Sequence, residues 1–252
     1  MRELLALVGV GKGYARGERT MTVLRDASLG VGAGEVAAVV GAREVGKTTL
    51  LKIAAGIERP DAGEVWLGDL DLARCTDVAR SRLLGNRIAW LHAEGTGVKL
   101  KVLDYVGLPL AIGRGRRRRE AHDLALEALE RVGAGGCAAQ RWEELSNWER
   151  LLVALARGIA GAPELLVVDD MMNGFGMGRT REAGELLAEL AREGRCGVLM
   201  SCTDLEAALV ADRVWSLEGG RLSVLTELQA EADVIDFPGA ARRRRSSHAA
   251  GH

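Results

Sequence analysis

The chain has 252 residues, 48% hydrophobic and 27% charged, the balance of an ordinary soluble globular protein with length for one large domain or a domain with a subdomain. A formal net charge of −1 excludes a global positive field, and with it a general nucleic-acid binder. The four cysteines, Cys75, Cys137, Cys196 and Cys202, form no Cys-x-x-Cys pair and read as reduced, mostly buried thiols of a cytosolic protein.

In chain order, Leu4 to Val10 reads as a first strand rather than a signal peptide, because Glu3 interrupts the basic start and no small-residue cleavage pattern follows. No apolar run approaches the ~18 residues of a bilayer span. Val23-Leu24 and Ala27 to Val31 are further strand-like pieces with glycine punctuation. Tyr14 lies in a loop-like Gly-Tyr-Ala-Arg-Gly setting, where its ring either stacks on a nucleotide base or packs as a half-buried aromatic.

Glu35 to Val40 is a short apolar run of buried-strand type, and Leu50 to Ala55 is helical in composition, stopped by Gly56. Between them stands Gly41-Ala42-Arg43-Glu44-Val45-Gly46-Lys47-Thr48-Thr49, which spells the phosphate-binding P-loop Gly-x-x-x-x-Gly-Lys-Thr. The glycines let backbone N–H groups turn toward a phosphate chain, and the helix beginning near Lys47 aims its positive end at the same anion. Lys47 adds a full charge to the outer phosphates, and the Thr48 hydroxyl is a Mg²⁺ ligand candidate. A glycine turn before an ordinary helix would explain the glycines but not the strand-loop-helix context.

Asp61 to Gly63 is a turn into the strand Glu64 to Leu67, Thr76 caps a helix to Leu84, and residues 87–91 form another strand. Lys99 to Ile112 is largely helical with Pro109 as an interruption. The basic cluster Arg114 to Arg119 opens a helix from Glu120 to Val132 and reads as a solvated helix end. Ser146 with Glu149 fits the Ser-x-x-Glu capping box before a helix to about Ala160. Leu165 to Val168 is an apolar strand ending in Asp169-Asp170; with the P-loop upstream, Asp169 is a metal-holding candidate rather than only a turn aspartate. A helix from Thr180 to Arg192 and a strand from Gly197 to Met200 follow. Thr203 with Glu206 fits a second capping box, opening a helix to Ala211. Two strand-like runs, 213–217 and 221–225, are joined by Glu218-Gly219-Gly220. Beyond Pro238 the basic tail with Arg242 to Arg245 is expected to be disordered and solvated, with anionic lipid heads as its alternative contact. Strands alternating with helices around a P-loop predict an α/β fold with a mainly parallel sheet, and the absence of Asn-Lys-x-Asp argues against a GTPase.

With these pieces in this order, the sequence resembles the nucleotide-binding subunit of an ABC transporter from about Leu4 to Leu225. Beyond the P-loop, the resemblance rests on Leu51 to Gly56 followed by Pro60 to Glu64, on Leu145-Ser146 followed by Val153 to Arg157, and on Ala211 to Val214. Residues 84–88 and 102–110 are similar to the lipoprotein-releasing and macrolide-efflux branch. The resemblance implies a P-loop core with an antiparallel β subdomain and a helical subdomain at about 93–162, all within a domain spanning 1–237. It implies ATP and Mg²⁺, a membrane permease partner, a second ATP-binding subunit in a homodimer or heterodimer, and a peripheral place on the cytoplasmic face of the membrane. The loop from Gly41 to Thr49 and Asp169 match the family's binding positions, and the resemblance favours the base-stacking alternative for Tyr14.

The catalytic positions depart from the pattern. The family's signature continues Leu145-Ser146 with two glycines; here Asn147 and Trp148 precede Glu149. Asp170 stands for the catalytic Glu, one methylene short, and Thr203 for the switch His. His92 or Ala93 replaces a glutamine, and Gly176 an Asp of the dimer-contacting loop. In this family each ATP lies between one subunit's P-loop and the other's signature. The expectation is therefore an ATP binder with weak hydrolysis, or a non-hydrolysing regulatory protein that uses ATP as a structural switch.

Overall fold

The computed structural model describes residues 3–17, 19–92 and 99–225. The sequence tail with Arg242 to Arg245 and the position of Ala93 lie outside the described residues. The chain opens with two long strands, β1 (Leu5–Arg16) and β2 (Arg19–Val31), then β3 (Val36–Val40) and helix α1 (Lys47–Ala54). Next come β4 (Ala62–Leu67), β5 (Leu70–Asp71), α2 (Asp77–Leu83), β6 (Ile88–His92), α3 (Val102–Gly113) and α4 (Arg118–Arg131). Then follow α5 (Asn147–Ile159), β7 (Leu165–Asp169), α6 (Met177–Gly194), β8 (Gly197–Cys202), the short α7 (Leu205–Ala208), β9 (Arg213–Glu218) and β10 (Arg221–Leu225).

The strands make two sheets. An antiparallel sheet has the order β2-β1-β4-β5, and a second sheet has the order β10-β9-β3-β8-β7-β6. Within the second, β9, β3, β8, β7 and β6 run parallel, and β10 closes the edge antiparallel to β9. Strand β3 and residues 165–168 of β7 are unbroken apolar runs because helices or the other sheet cover both faces. In β3, Val36 and Ala38 point into the core under α3 to α7, whereas Ala37 and Val39 point into a core shared with α1 and the antiparallel sheet. β7 alternates the same way, with Leu166 and Val168 on one side and Leu165 and Val167 on the other, as a period of two residues requires. This mixed α/β architecture, a parallel core with an antiparallel sheet and a set of helices, is the one expected from sequence.

Several local expectations are corrected. Tyr14 is in β1, not a loop, and pairs with Met21 of β2. The glycines around it accompany register shifts between Leu7 and Gly13 rather than a chain break. The two pieces near Val23 and Ala27 are one strand. Pro109 does not interrupt α3, which continues to Gly113. Proline cannot donate to the carbonyl four residues back. That carbonyl, Tyr105 O, instead accepts from Arg157 Nη1 at 2.8 Å, while the same guanidinium lies 4.3 Å from the Tyr105 ring centroid. Helix α4 starts at Arg118 within the basic cluster, α6 starts at Met177, and α7 ends at Ala208. Thr203 does not cap α7: Asp204 holds the N-cap position without a side-chain bond, and the Thr203 hydroxyl donates to Asn173 Oδ1 at 2.8 Å instead.

The capping box at Ser146 is present. Ser146 Oγ accepts from Glu149 N at 3.3 Å, and Glu149 Oε2 accepts from Ser146 N at 2.8 Å. Ser146→Ala removes one cap of a helix that carries Leu151, Val153 and Leu155 into the core, and such caps are worth about 1 kcal/mol. The expected result is a Tm lower by about 2–4 °C in a thermal melt. An unchanged Tm would show that the cap adds nothing to the fold.

Candidate functional site

The parallel strands β3, β7 and β8 end on one side of the sheet, where α/β proteins bind ligands. The loop leaving β3 turns into α1 through Gly46, whose φ of 110° belongs to glycine. A Cβ there would meet Val23 Cγ1 at 2.6 Å, so β2 presses the loop from outside. Lys47 opens α1 and is buried, with 7% exposure. Its Nζ donates to the carbonyls of Gly41 at 2.6 Å and Ala42 at 2.8 Å, which hold the ammonium against the start of the loop.

Tyr14, Arg43, Glu44, Gly46, Lys47, Thr48, Thr49, Asp169 and Asp170 line one concave site of about 420 Å³. Residues scattered from position 14 to 170 thus meet around the phosphate loop. Gly41 and Ala42 contribute backbone rather than lining, and the Val45 side chain packs onto the core beneath. Met21 and Val23 also line the site and are not evident from sequence, because β2 reaches them only through its pairing with β1. The Tyr14 hydroxyl donates to Glu58 Oε1 at 2.6 Å and lies 3.3 Å from Thr49 Oγ1, which ties the ring to the first turn of α1. Burial and the bond to Glu58 raise the Tyr14 pKa, so the phenol stays neutral at physiological pH.

The far wall is carboxylate. Asp169, at the end of β7, is buried and accepts from Ser201 Oγ at 2.7 Å. Asp170 follows with φ 56°, a left-handed conformation for a non-glycine residue, and its amide donates to Ser201 Oγ at 3.0 Å. Asp170 Oδ1 is buried and has no hydrogen-bond partner in the protein. A buried unpaired carboxylate oxygen is costly and points to a ligand at that place. Taken with the Thr48 hydroxyl and a loop whose Gly46 admits no side chain, the donor set is hard oxygen beside a phosphate cradle, which fits Mg²⁺ with a nucleotide. Burial pushes the nearby Cys202 thiol up to about 12, so without a metal it stays protonated at neutral pH.

The remaining sequence candidates lie elsewhere. His92 ends β6 beside Asp169 in the sheet and, with Asn147, lines a neighbouring cavity of about 530 Å³. Asn173, which receives the Thr203 hydroxyl, lines that cavity too. Leu145 is buried in the core, while Ser146 and Glu149 are spent on the cap of α5. The Trp148 ring meets Phe175 edge-on at 5.8 Å, and the Arg179 guanidinium lies 4.4 Å from its centroid. This segment is thus turned onto the loop and helix that follow β7 in its own chain.

Residues 24–173 match the model of the ABC transporter family. The chain is 37% identical over 224 residues to the lipoprotein-releasing system ATP-binding protein LolD of Cereibacter sphaeroides, covering 88% of this chain and all of that one. It is 32% identical over 222 residues to LolD of Pseudomonas syringae pv. tomato, covering 88% of this chain and 97% of that one. Its fold superposes on a dimeric post-hydrolysis structure of the ATP-binding cassette MJ0796 bound to ADP and Pi with a TM-score of 0.79 at 24% identity, covering 90% of this chain and 100% of that one. With the family's phosphate loop, fold and near full-length likeness all present, this chain belongs to the ABC transporter family as an ATP-binding subunit.

Proposed function

We propose that this subunit binds Mg-ATP in the site around Lys47, hydrolyses it slowly, and works from the cytoplasmic face of a membrane on a permease of the lipid- or lipoprotein-handling kind. The observation that carries this reading is the contrast within the chain. The binding wall is complete, with Lys47, Thr48 and Asp169 gathered in one site, whereas Asp170, Thr203, Asn147 and Trp148 occupy the catalytic and closing positions. The likeness to lipoprotein-releasing ATP-binding proteins supports the permease class.

Thr48 and Asp169 are the residues that would hold Mg²⁺, directly or through water, and the ion would supply charge neutralisation at the outer phosphates. Lys47 binds the same charge from the loop side, and Tyr14 offers a ring face to the base. Thr203, already committed to Asn173, holds no proton at the pKa of a histidine and serves to anchor the turn after β7. The non-hydrolysing switch is the second reading, favoured by the Trp148 contacts that fasten the signature segment to its own chain.

No helix among the described residues is long and apolar enough to cross a membrane, so membrane contact is assigned to the partner. The test is capture of the tagged full chain from detergent-solubilised membranes of its own host. A multi-spanning permease subunit should co-purify, and alkaline carbonate should release the chain from membranes. Retention in carbonate-washed membranes with no permease present overturns the proposal.

A further inference from the structure

Among the described residues, Ser201 is the one buried serine or threonine. Val198, Leu199, Met200 and Cys202 around it are buried and apolar, and Ser201 itself is 2% exposed. A hydroxyl placed there is destabilising unless it is fully bonded. Both of its functions are used. It donates to Asp169 Oδ1 at 2.7 Å and accepts from the Asp170 amide at 3.0 Å. One atom therefore fixes the rotamer of the aspartate that faces the phosphate loop and the backbone of the aspartate beside it. The second bond is made to a residue whose left-handed φ of 56° needs support, and that conformation leaves Asp170 Oδ1 buried without a protein partner.

We infer that Ser201 is a positioning residue for the metal-holding wall: through its hydroxyl it sets Asp169 and Asp170 in the arrangement that receives the Mg²⁺ of a bound nucleotide. Partners behind metal ligands orient them and raise their affinity for the ion. Ser201 itself is not among the residues that line the site. The inference rests on the Mg-ATP reading of the site above.

The experiment is calorimetric titration of the purified full chain with ATP, once with Mg²⁺ and once with EDTA. The variants are Ser201→Ala, Ser201→Thr and Ser201→Val; threonine and valine differ from one another only in the hydroxyl at nearly equal volume. The gain in ATP affinity that Mg²⁺ gives the wild type should fall about tenfold in Ser201→Ala and Ser201→Val, and stay within about threefold in Ser201→Thr. Affinity in EDTA should be unchanged throughout. Amide exchange at Asp170, followed by NMR without any ligand, should quicken in Ser201→Ala and be restored in Ser201→Thr. Should the larger side chains prevent folding, Ser201→Ala, which only removes an atom, decides alone. Full Mg²⁺ enhancement in Ser201→Ala overturns the inference, as does equal weakening with and without Mg²⁺, which marks a merely structural hydroxyl. A wild type that binds ATP identically in Mg²⁺ and EDTA overturns the Mg-ATP reading itself, and this inference with it.

Discussion

Saturating Mg-ATP is expected to be hydrolysed by the purified chain at well below about 1 s⁻¹, the lower edge of ordinary enzyme turnover. Asp170 carries its carboxylate one methylene short of the glutamate that its family uses, and its backbone is held in a left-handed turn by Ser201. Thr203 cannot exchange a proton near neutral pH and is already bonded to Asn173. Trp148 puts an indole where the family has backbone, and that indole is engaged by Phe175 and Arg179. Loss of a general acid–base group alone slows a reaction by ~10²–10⁴. Groups that act as a unit do not have additive effects, so the penalties are not multiplied. Asp170→Glu by itself should recover little. The combined variant Asp170→Glu, Thr203→His, Asn147→Gly and Trp148→Gly should gain far more than any single change, measured as steady-state phosphate release. An unmodified chain that already turns over at about 1 s⁻¹ or faster would mean that another group supplies the missing chemistry, with His92 the first to examine.

Lys47→Ala should weaken Mg-ATP binding by at least tenfold and up to about a hundredfold, because charge-assisted hydrogen bonds of ~1.5–3 kcal/mol are lost. The ammonium is buried and held by the carbonyls of Gly41 and Ala42, so its position is set before any phosphate arrives. Among the described residues Arg43 is the other cation lining the site, and it is exposed. Calorimetry of wild type and variant side by side decides the matter, and equal affinities would remove the phosphate-loop assignment.

What could be read from sequence was what is local. The phosphate loop is contiguous with the strand and helix that frame it, so the residue types and their order suffice. Asp169 and the Ser146 cap are equally local, an acid at a strand end and a Ser-x-x-Glu before an apolar helix. The misreadings came from features that only pairing reveals. The glycines of β1 resemble punctuation, yet they sit where the strand pairs closely: a Cβ on Gly63 of β4 would lie 2.4 Å from the Gly9 carbonyl oxygen. Thr203 fits a helix cap in sequence, but Asn173, thirty positions away, takes its hydroxyl at 2.8 Å. Ser201 gives almost no signal, since its meaning comes from the register that sets it beside Asp169.

The Trp148 cluster also bears on how a glycine signature could be built into this chain. Phe175 and Arg179 both meet the Trp148 ring, which makes the indole a hub rather than an isolated side chain. Trp148→Gly alone would take from Phe175 its edge-on partner, leave Arg179 its bond to Glu182, and loosen the first turn of α5. A glycine at this position is therefore expected to cost stability unless its two partners are changed with it. The indole thus works as a rivet between the start of α5 and the segment that follows β7.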